Sequence, residues 1–249
     1  MAVKTILVSQ PKPEGTKSPY FDLAEKYKLK IDFRSFIHVE GISAQEFRSQ
    51  KVEIDKHTAV IMTSKNAVDH FFRIAEELRF EVPDSMKYFC ISEAVAYYLQ
   101  KYVTYRKRKI FFGKQRIEDL VDILKKNKKE KFLLPCADRL RDNIPDTLEE
   151  TQLDFTKAIL YRTVASDLSD LENVYYDMLV FYSPGGVESL IKNFPDFKQN
   201  DTVIAAFGPT TAKAIIDNNL RLDLHAPQPN APSMTGAIEN FVKSAKKSK

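Results

Sequence analysis

Cysteine is scarce in this chain. Cys90 and Cys136 are the only two in 249 residues, which excludes a disulfide scaffold and a four-cysteine zinc site. Long apolar runs are missing too. The stretch 178–182 is typical of the longest, against the ~18–20 residues a membrane helix needs. Residues 6–8 are far too short for the apolar part of a signal peptide, and no small-residue cleavage site follows. Neither Gly-x-Gly-x-x-Gly nor Gly-x-x-x-x-Gly-Lys-Ser/Thr occurs, so dinucleotide and P-loop chemistry have no support. Charge of one sign is also lacking: 38 Lys+Arg stand against 34 Asp+Glu, a net +4 too mild to signal nucleic-acid binding. His38, His57, His70 and His225 show no ligand spacing to one another or to the cysteines, so no metal is expected. What remains is 43% hydrophobic and 29% charged. It reads as a soluble cytoplasmic protein of one large domain or two of about 100–150 residues, with no membrane and no nucleic-acid partner.

Short β-branched runs alternate with helical patterns, the arrangement of an α/β protein with parallel strands. Strands are expected at 4–9, 31–38, 58–63, 87–92, 109–112, 131–135, 156–164, 177–183, 202–208 and 221–226. Helices are expected at 66–78, 93–102, 117–126, 144–150, 187–194, 210–219 and 234–244. An internal repeat organises them. Val60-Ile61-Met62-Thr63-Ser64-Lys65-Asn66-Ala67-Val68 echoes Leu179-Val180-Phe181-Tyr182-Ser183-Pro184-Gly185-Gly186-Val187, 119 positions on. Ile91-Ser92-Glu93-Ala94-Val95-Ala96 echoes Phe207-Gly208-Pro209-Thr210-Thr211-Ala212, 116 positions on. Two nearly constant offsets predict two similar α/β lobes with a cleft between them, and α/β sheets bind ligands at the carboxyl ends of their strands.

The strand-to-helix turns are therefore the candidate chemistry. In Thr63-Ser64-Lys65-Asn66, Ser64 or Asn66 suits an N-cap. The same turn leaves backbone N–H groups facing outward for an anion. Ser183-Pro184-Gly185-Gly186 and Gly208-Pro209-Thr210-Thr211 repeat the device, with Pro in the first turn. Tyr161, in Ile159-Leu160-Tyr161-Arg162-Thr163-Val164, is either an ordinary strand tyrosine or, if its segment crosses between lobes, a proton donor facing the cleft. Cys136 has no nucleophile motif around it and reads as a core or edge thiol. The basic clusters at 106–109, 125–129 and 243–249 are solvated helix ends and a frayed terminus, or else a field that attracts a polyanion.

In order, Ile6-Leu7-Val8-Ser9-Gln10-Pro11, Thr63-Ser64-Lys65-Asn66-Ala67-Val68, Leu160-Tyr161-Arg162-Thr163-Val164, Phe181-Tyr182-Ser183-Pro184, Phe207-Gly208-Pro209-Thr210-Thr211-Ala212 and Ala231-Pro232-Ser233-Met234-Thr235-Gly236 resemble the uroporphyrinogen-III synthase family. Leu134-Pro135 with Asp138-Arg139-Leu140-Arg141-Asp142 looks like that family's strand-loop-helix ahead of its tyrosine. The resemblance implies one lobe from 1–37 plus 165–249, another from 41–157, and connecting strands at 38–40 and 158–164. It implies a cyclising hydro-lyase of tetrapyrrole (haem) biosynthesis that uses no metal or organic cofactor; a monomer is expected because the repeat supplies both lobes within one chain. Its substrate would be hydroxymethylbilane, handed over transiently by hydroxymethylbilane synthase, and its product uroporphyrinogen III with the last pyrrole ring inverted.

Tyr161, matching the family's tyrosine, would help the terminal hydroxyl depart. Thr63, Ser64, Lys65, Asn66, Ser92, Tyr182, Ser183, Pro184, Gly208, Thr210 and Thr211 would bind substrate, its carboxylates meeting N–H groups and the hydroxyls of Ser64, Ser183 and Thr211. The chain departs from the family at Gln10, where Arg is frequent, and at Ser92 and Val95, where Gly and Thr are usual. Readings of other classes are a degenerate tetrapyrrole- or small-anion-binding protein without synthase activity, a two-lobed small-molecule binder, and a nucleic-acid module using the basic clusters.

Overall fold

The computed structural model describes residues 3–139 and 143–247. In chain order it contains β1 (Thr5–Val8), α1 (Pro19–Tyr27), β2 (Lys30–Phe33), β3 (Ile37–Gly41), α2 (Ala44–Ser49), β4 (Ala59–Met62) and α3 (Lys65–Glu77). β5 (Lys87–Cys90), α4 (Glu93–Leu99), β6 (Ile110–Phe112), α5 (Val121–Lys126), β7 (Phe132–Ala137), α6 (Asn143–Glu150) and β8 (Phe155–Ala165) follow. The chain ends with β9 (Met178–Phe181), α7 (Pro184–Asn193), β10 (Val203–Phe207), α8 (Pro209–Asp217), β11 (Leu224–Ala226) and α9 (Met234–Lys247). Of the family-like stretch after Pro135, Leu140, Arg141 and Asp142 lie outside the described residues.

Two compact units emerge: Met1–His38 with Val164–Lys249, and Val39–Thr163. The first has one sheet in the order β11-β10-β9-β1-β2, its pairs parallel. Along β1, Ile6 and Val8 face a core shared with α1 and α9, while Leu7 faces one shared with α7 and α8. Burial on both faces explains why these strands read as continuous apolar runs rather than as alternation. The second unit carries β8-β7-β4-β5-β6, also parallel, with β3 beside β8. There Val60 and Met62 face one core, Ala59 and Ile61 the other.

The two strand orders correspond: β2-β1-β9-β10-β11 in one unit, β8-β7-β4-β5-β6 in the other. The repeated segments are β4-α3-β5-α4 and β9-α7-β10-α8. A further equivalence, which no sequence echo reveals, joins β1-α1-β2 to β7-α6-β8. In the first unit that piece precedes the repeated segment; in the second it follows.

Two expectations need correction. Residues 31–38 are not one strand: the backbone leaves the sheet after Phe33, and the Phe36 carbonyl instead accepts the Ser166 N–H at 2.8 Å. α1 and α2 were also not foreseen. Both have readable starts: Ser18 accepts the Tyr20 N–H ahead of Pro19, and Ser43 accepts the Glu46 N–H in a Ser-x-x-Glu pattern.

Candidate active site

In the unit of residues 39–163, β4 ends in Thr63 and Ser64. The Ser64 backbone is extended and its Oγ accepts the Ala67 N–H at 3.0 Å, capping α3. On the neighbouring strand Ser92 does the same for α4, accepting the Val95 N–H at 3.4 Å. Both turns thus lie at the carboxyl ends of adjacent parallel strands, where register sets Met62 beside Cys90. Thr63 is half-buried; Lys65 and Asn66 are exposed on the first turn of α3, with Lys65 Nζ 5.3 Å from the Tyr98 ring centre. Ser92 serves as the N-cap of α4, and Val95 is buried in one of the core clusters of this unit. Gln10 is exposed.

Tyr161 comes to Ser64 from β8. Its Oη lies 3.3 Å from Ser64 Oγ and the residue is 8% exposed. Burial pushes the phenol pKa up, only partly offset by the Ser64 hydrogen bond, so the hydroxyl keeps its proton at neutral pH. A β-bulge aims it. Along β7 and β8, Cys136 pairs with Ile159 but Ala137 pairs with Tyr161, so Leu160 is the extra residue. Leu160 and Tyr161 are consequently both buried in the same core cluster instead of alternating. The freed Leu160 carbonyl accepts the Ile42 N–H at 3.0 Å and Arg73 Nη2 at 3.1 Å. Just before it, the Gln50 side-chain amide brackets Ile159, donating to its carbonyl at 2.8 Å and accepting its N–H at 3.0 Å.

Sequence reasoning missed Gln50, Arg73 and His70, whose ring stacks on Tyr161 with centroids 5.0 Å apart and planes at 21°. The helical spacing of His70 and Arg73 was a usable signal; the bulge left none.

In the unit of residues 1–38 and 164–249, Ser183 caps α7 by accepting the Gly186 N–H at 3.3 Å, with Pro184 in the first turn. Tyr182 Oη is 2.7 Å from Tyr20 Oη, and its ring lies 5.4 Å from that of Phe207. Burial raises the pKa of both phenols. On the adjacent strand Gly208, at φ 86° and ψ 154°, starts α8 ahead of Pro209, its N–H donating to the Ala226 carbonyl at 2.7 Å. Thr210 is exposed there. Thr211, expected to offer its hydroxyl to substrate, is instead 1% exposed, turned inward on α8 with Ala212 and Ile215.

Each unit therefore places two helix N-termini side by side, an arrangement suited to carboxylates. In the unit of 39–163 the Tyr161 phenol bonds to the N-cap serine of α3, whereas in the other unit the buried phenols of Tyr20 and Tyr182 bond to each other. The cysteines are buried free thiols, with pKa values pushed up to about 12 for Cys90 and about 11 for Cys136 by desolvation. No three His, Cys, Asp or Glu residues among those described could hold a metal, and no described helix is long and apolar enough to cross a membrane. A cavity of about 590 Å³ lined by Phe72, Met86, Tyr88, Tyr102 and Arg106 touches the Tyr161 surroundings only through Arg73. Within it Arg106 pairs with Asp84, and Asp69 accepts from the Tyr102 hydroxyl.

The chain is similar to several known proteins. A Saccharomyces cerevisiae uroporphyrinogen-III synthase is 26% identical over 139 residues, which are 50% of this chain and 50% of that protein, so the match spans about half the relative's length. Uroporphyrinogen-III synthetase from Helicobacter pylori superposes with a TM-score of 0.57 at 17% identity, covering 97% of this chain and 99% of that one. A mutant uroporphyrinogen III synthase from Thermus thermophilus gives a TM-score of 0.48 at 14% identity, over 99% and 100% of the chains. The family model described as uroporphyrinogen-III synthase HemD matches residues 20–236. With that match running through both sets of capped turns and Tyr161, the chain belongs to the uroporphyrinogen-III synthase family.

Proposed function

We propose that this chain closes hydroxymethylbilane to uroporphyrinogen III, inverting the last pyrrole ring and releasing water. The observation that carries the reading is the protonated, buried Tyr161 hydroxyl 3.3 Å from Ser64 at the start of α3. Departure of the terminal hydroxyl leaves an azafulvene cation, which the distal pyrrole attacks at its substituted carbon to give a spiro intermediate. Tyr161 donates a hydrogen bond to the departing oxygen and stabilises the charge building there. Ser64 Oγ already accepts from the helix, and its own proton remains for Tyr161 or a substrate carboxylate. N–H groups of the first turn of α3 take a further carboxylate. Residues 38–40 and 158–164 would act as connecting strands. A monomer in the cytoplasm, receiving its substrate from hydroxymethylbilane synthase, completes the reading.

Product analysis tests it. Hydroxymethylbilane closes unaided to the type I isomer, so the purified protein should yield the type III isomer, with chelator making no difference. Type I product alone from folded protein would sink the reading.

A further inference from the structure

The phenol of Tyr161 has a second neighbour besides Ser64, and that neighbour is itself held. On α3, His70, Arg73 and Glu77 follow one another at spacings of three and four, which puts them on one helix face. The His70 ring lies face to face with Tyr161. Arg73 Nε donates to His70 Nδ1 at 3.2 Å, Nη2 donates to the Leu160 carbonyl at 3.1 Å, and Nη1 pairs with Glu77. Space for this guanidinium exists because residue 41 is glycine: a Cβ there would stand 2.7 Å from Arg73 Nη2 and 2.8 Å from its Cζ. All the groups belong to the unit of 39–163.

A guanidinium can only donate, so Nδ1 of His70 must accept, which puts the ring proton on Nε2 and leaves the ring neutral. Protonation would set two N–H groups against each other and a second positive charge beside Arg73. Burial and that charge both hold the imidazole pKa below its usual value, while Asp69 opposes them weakly; Tyr161 and Glu77 are the other ionisable groups nearby. An uncharged ring is also the right neighbour for a proton donor, because an imidazolium would stabilise phenolate and weaken the hold of Tyr161 on its proton.

We propose that His70 is a positioning residue for Tyr161: its neutral ring, fixed by Arg73 in the space left at Gly41, restricts the phenol to the orientation in which its hydroxyl meets Ser64. What that hydroxyl then donates to rests on the synthase reading; the support itself does not. Because Arg73 also grips Leu160, the bulge residue, one side chain sets both the backbone beneath Tyr161 and the ring above it.

The test separates ring from hydrogen bond. His70→Ala and His70→Asn both remove the ring, and asparagine keeps an acceptor for Arg73; His70→Phe restores a ring face. Alanine and asparagine should each lower kcat about tenfold with KM within about twofold, since misplacing a catalytic group acts on the chemical step. Phenylalanine should recover most of the loss. In a Tyr161→Phe background none of the three should matter, because an effect exerted through the hydroxyl disappears with it. Losses that add to that of Tyr161→Phe, or an asparagine variant with full kcat, overturn the proposal.

A second measurement needs no substrate. With tyrosines labelled at 13Cζ, the signal missing from Tyr161→Phe identifies residue 161. His70→Asn should shift that signal and bring its titration down toward that of free tyrosine; His70→Phe should do so much less. An unmoved Tyr161 signal in His70→Asn overturns the proposal. If the wild type forms only type I isomer, the synthase reading falls, and this measurement alone decides for or against the support.

Discussion

At Tyr161, identity and acidity do different jobs. Desolvation makes it a poorer acid than free tyrosine while guaranteeing that it carries a proton, which suits the aimed donor of the proposed reaction. A positioned acid contributes ~10²–10⁴-fold. The substrate hydroxyl also leaves in plain water, so Tyr161→Phe should reduce the initial rate of type III formation by about 10²-fold and retain measurable activity. Complete loss from folded protein would show that Tyr161 does more than assist departure. His70 offers a pH prediction. Its pKa is lowered in the folded state, chiefly by burial and then by Arg73. Unfolded chain, with an ordinary histidine pKa of about 6.5, therefore binds the proton first as pH falls. The stability that neutral His70 supplies is complete above about 6.5 and lost on acidification toward its folded value. Urea midpoints at about pH 7.5 and 5.5 should drop further for wild type than for His70→Phe.

Among the elements, the helix starts decide most of the site. Ser64, Ser92 and Ser183 hold side-chain caps, while the fourth turn relies on backbone conformation alone: Gly208 sits at φ 86° with open space around its Cα. Gly208→Ala should cost ~1–3 kcal/mol through backbone strain, read from denaturant unfolding, because that region is nearly closed to residues with a Cβ. An unchanged midpoint would mean the turn relaxes into another conformation. These turns and their strands were legible because small polar residues after short apolar runs have a local cause, and because the repeat placed them twice. Thr211 was misjudged for a reason of helical phase: one step along α8 exchanges an exposed Thr210 for a buried neighbour. The bulge at Leu160 was illegible. Nothing in Ile159-Leu160-Tyr161 distinguishes it from a regular strand, and its supports, Gln50, Ile42 and Arg73, are remote in sequence.

For the whole molecule, the unit of 39–163 is continuous in sequence and its two core clusters draw only on its own residues. A fragment of those residues should unfold cooperatively with dispersed amide resonances, whereas residues 1–38 alone should remain unfolded; a disordered 39–163 fragment would mean that its cores need the rest of the chain. The contrast comes from β1, which lies between β2, its near neighbour in sequence, and β9, some 170 positions later. On the ribosome this sets a timetable. The strands within 39–163 are in hand when residue 163 emerges, but β1, apolar and buried in the finished fold, waits for β9 to pair its second edge. At ~5–20 residues per second the wait lasts roughly 10–30 s. β1, synthesised some 170 residues ahead of β9, thus finds its second partner late, and through that interval its exposed strand edge is what a chaperone would protect.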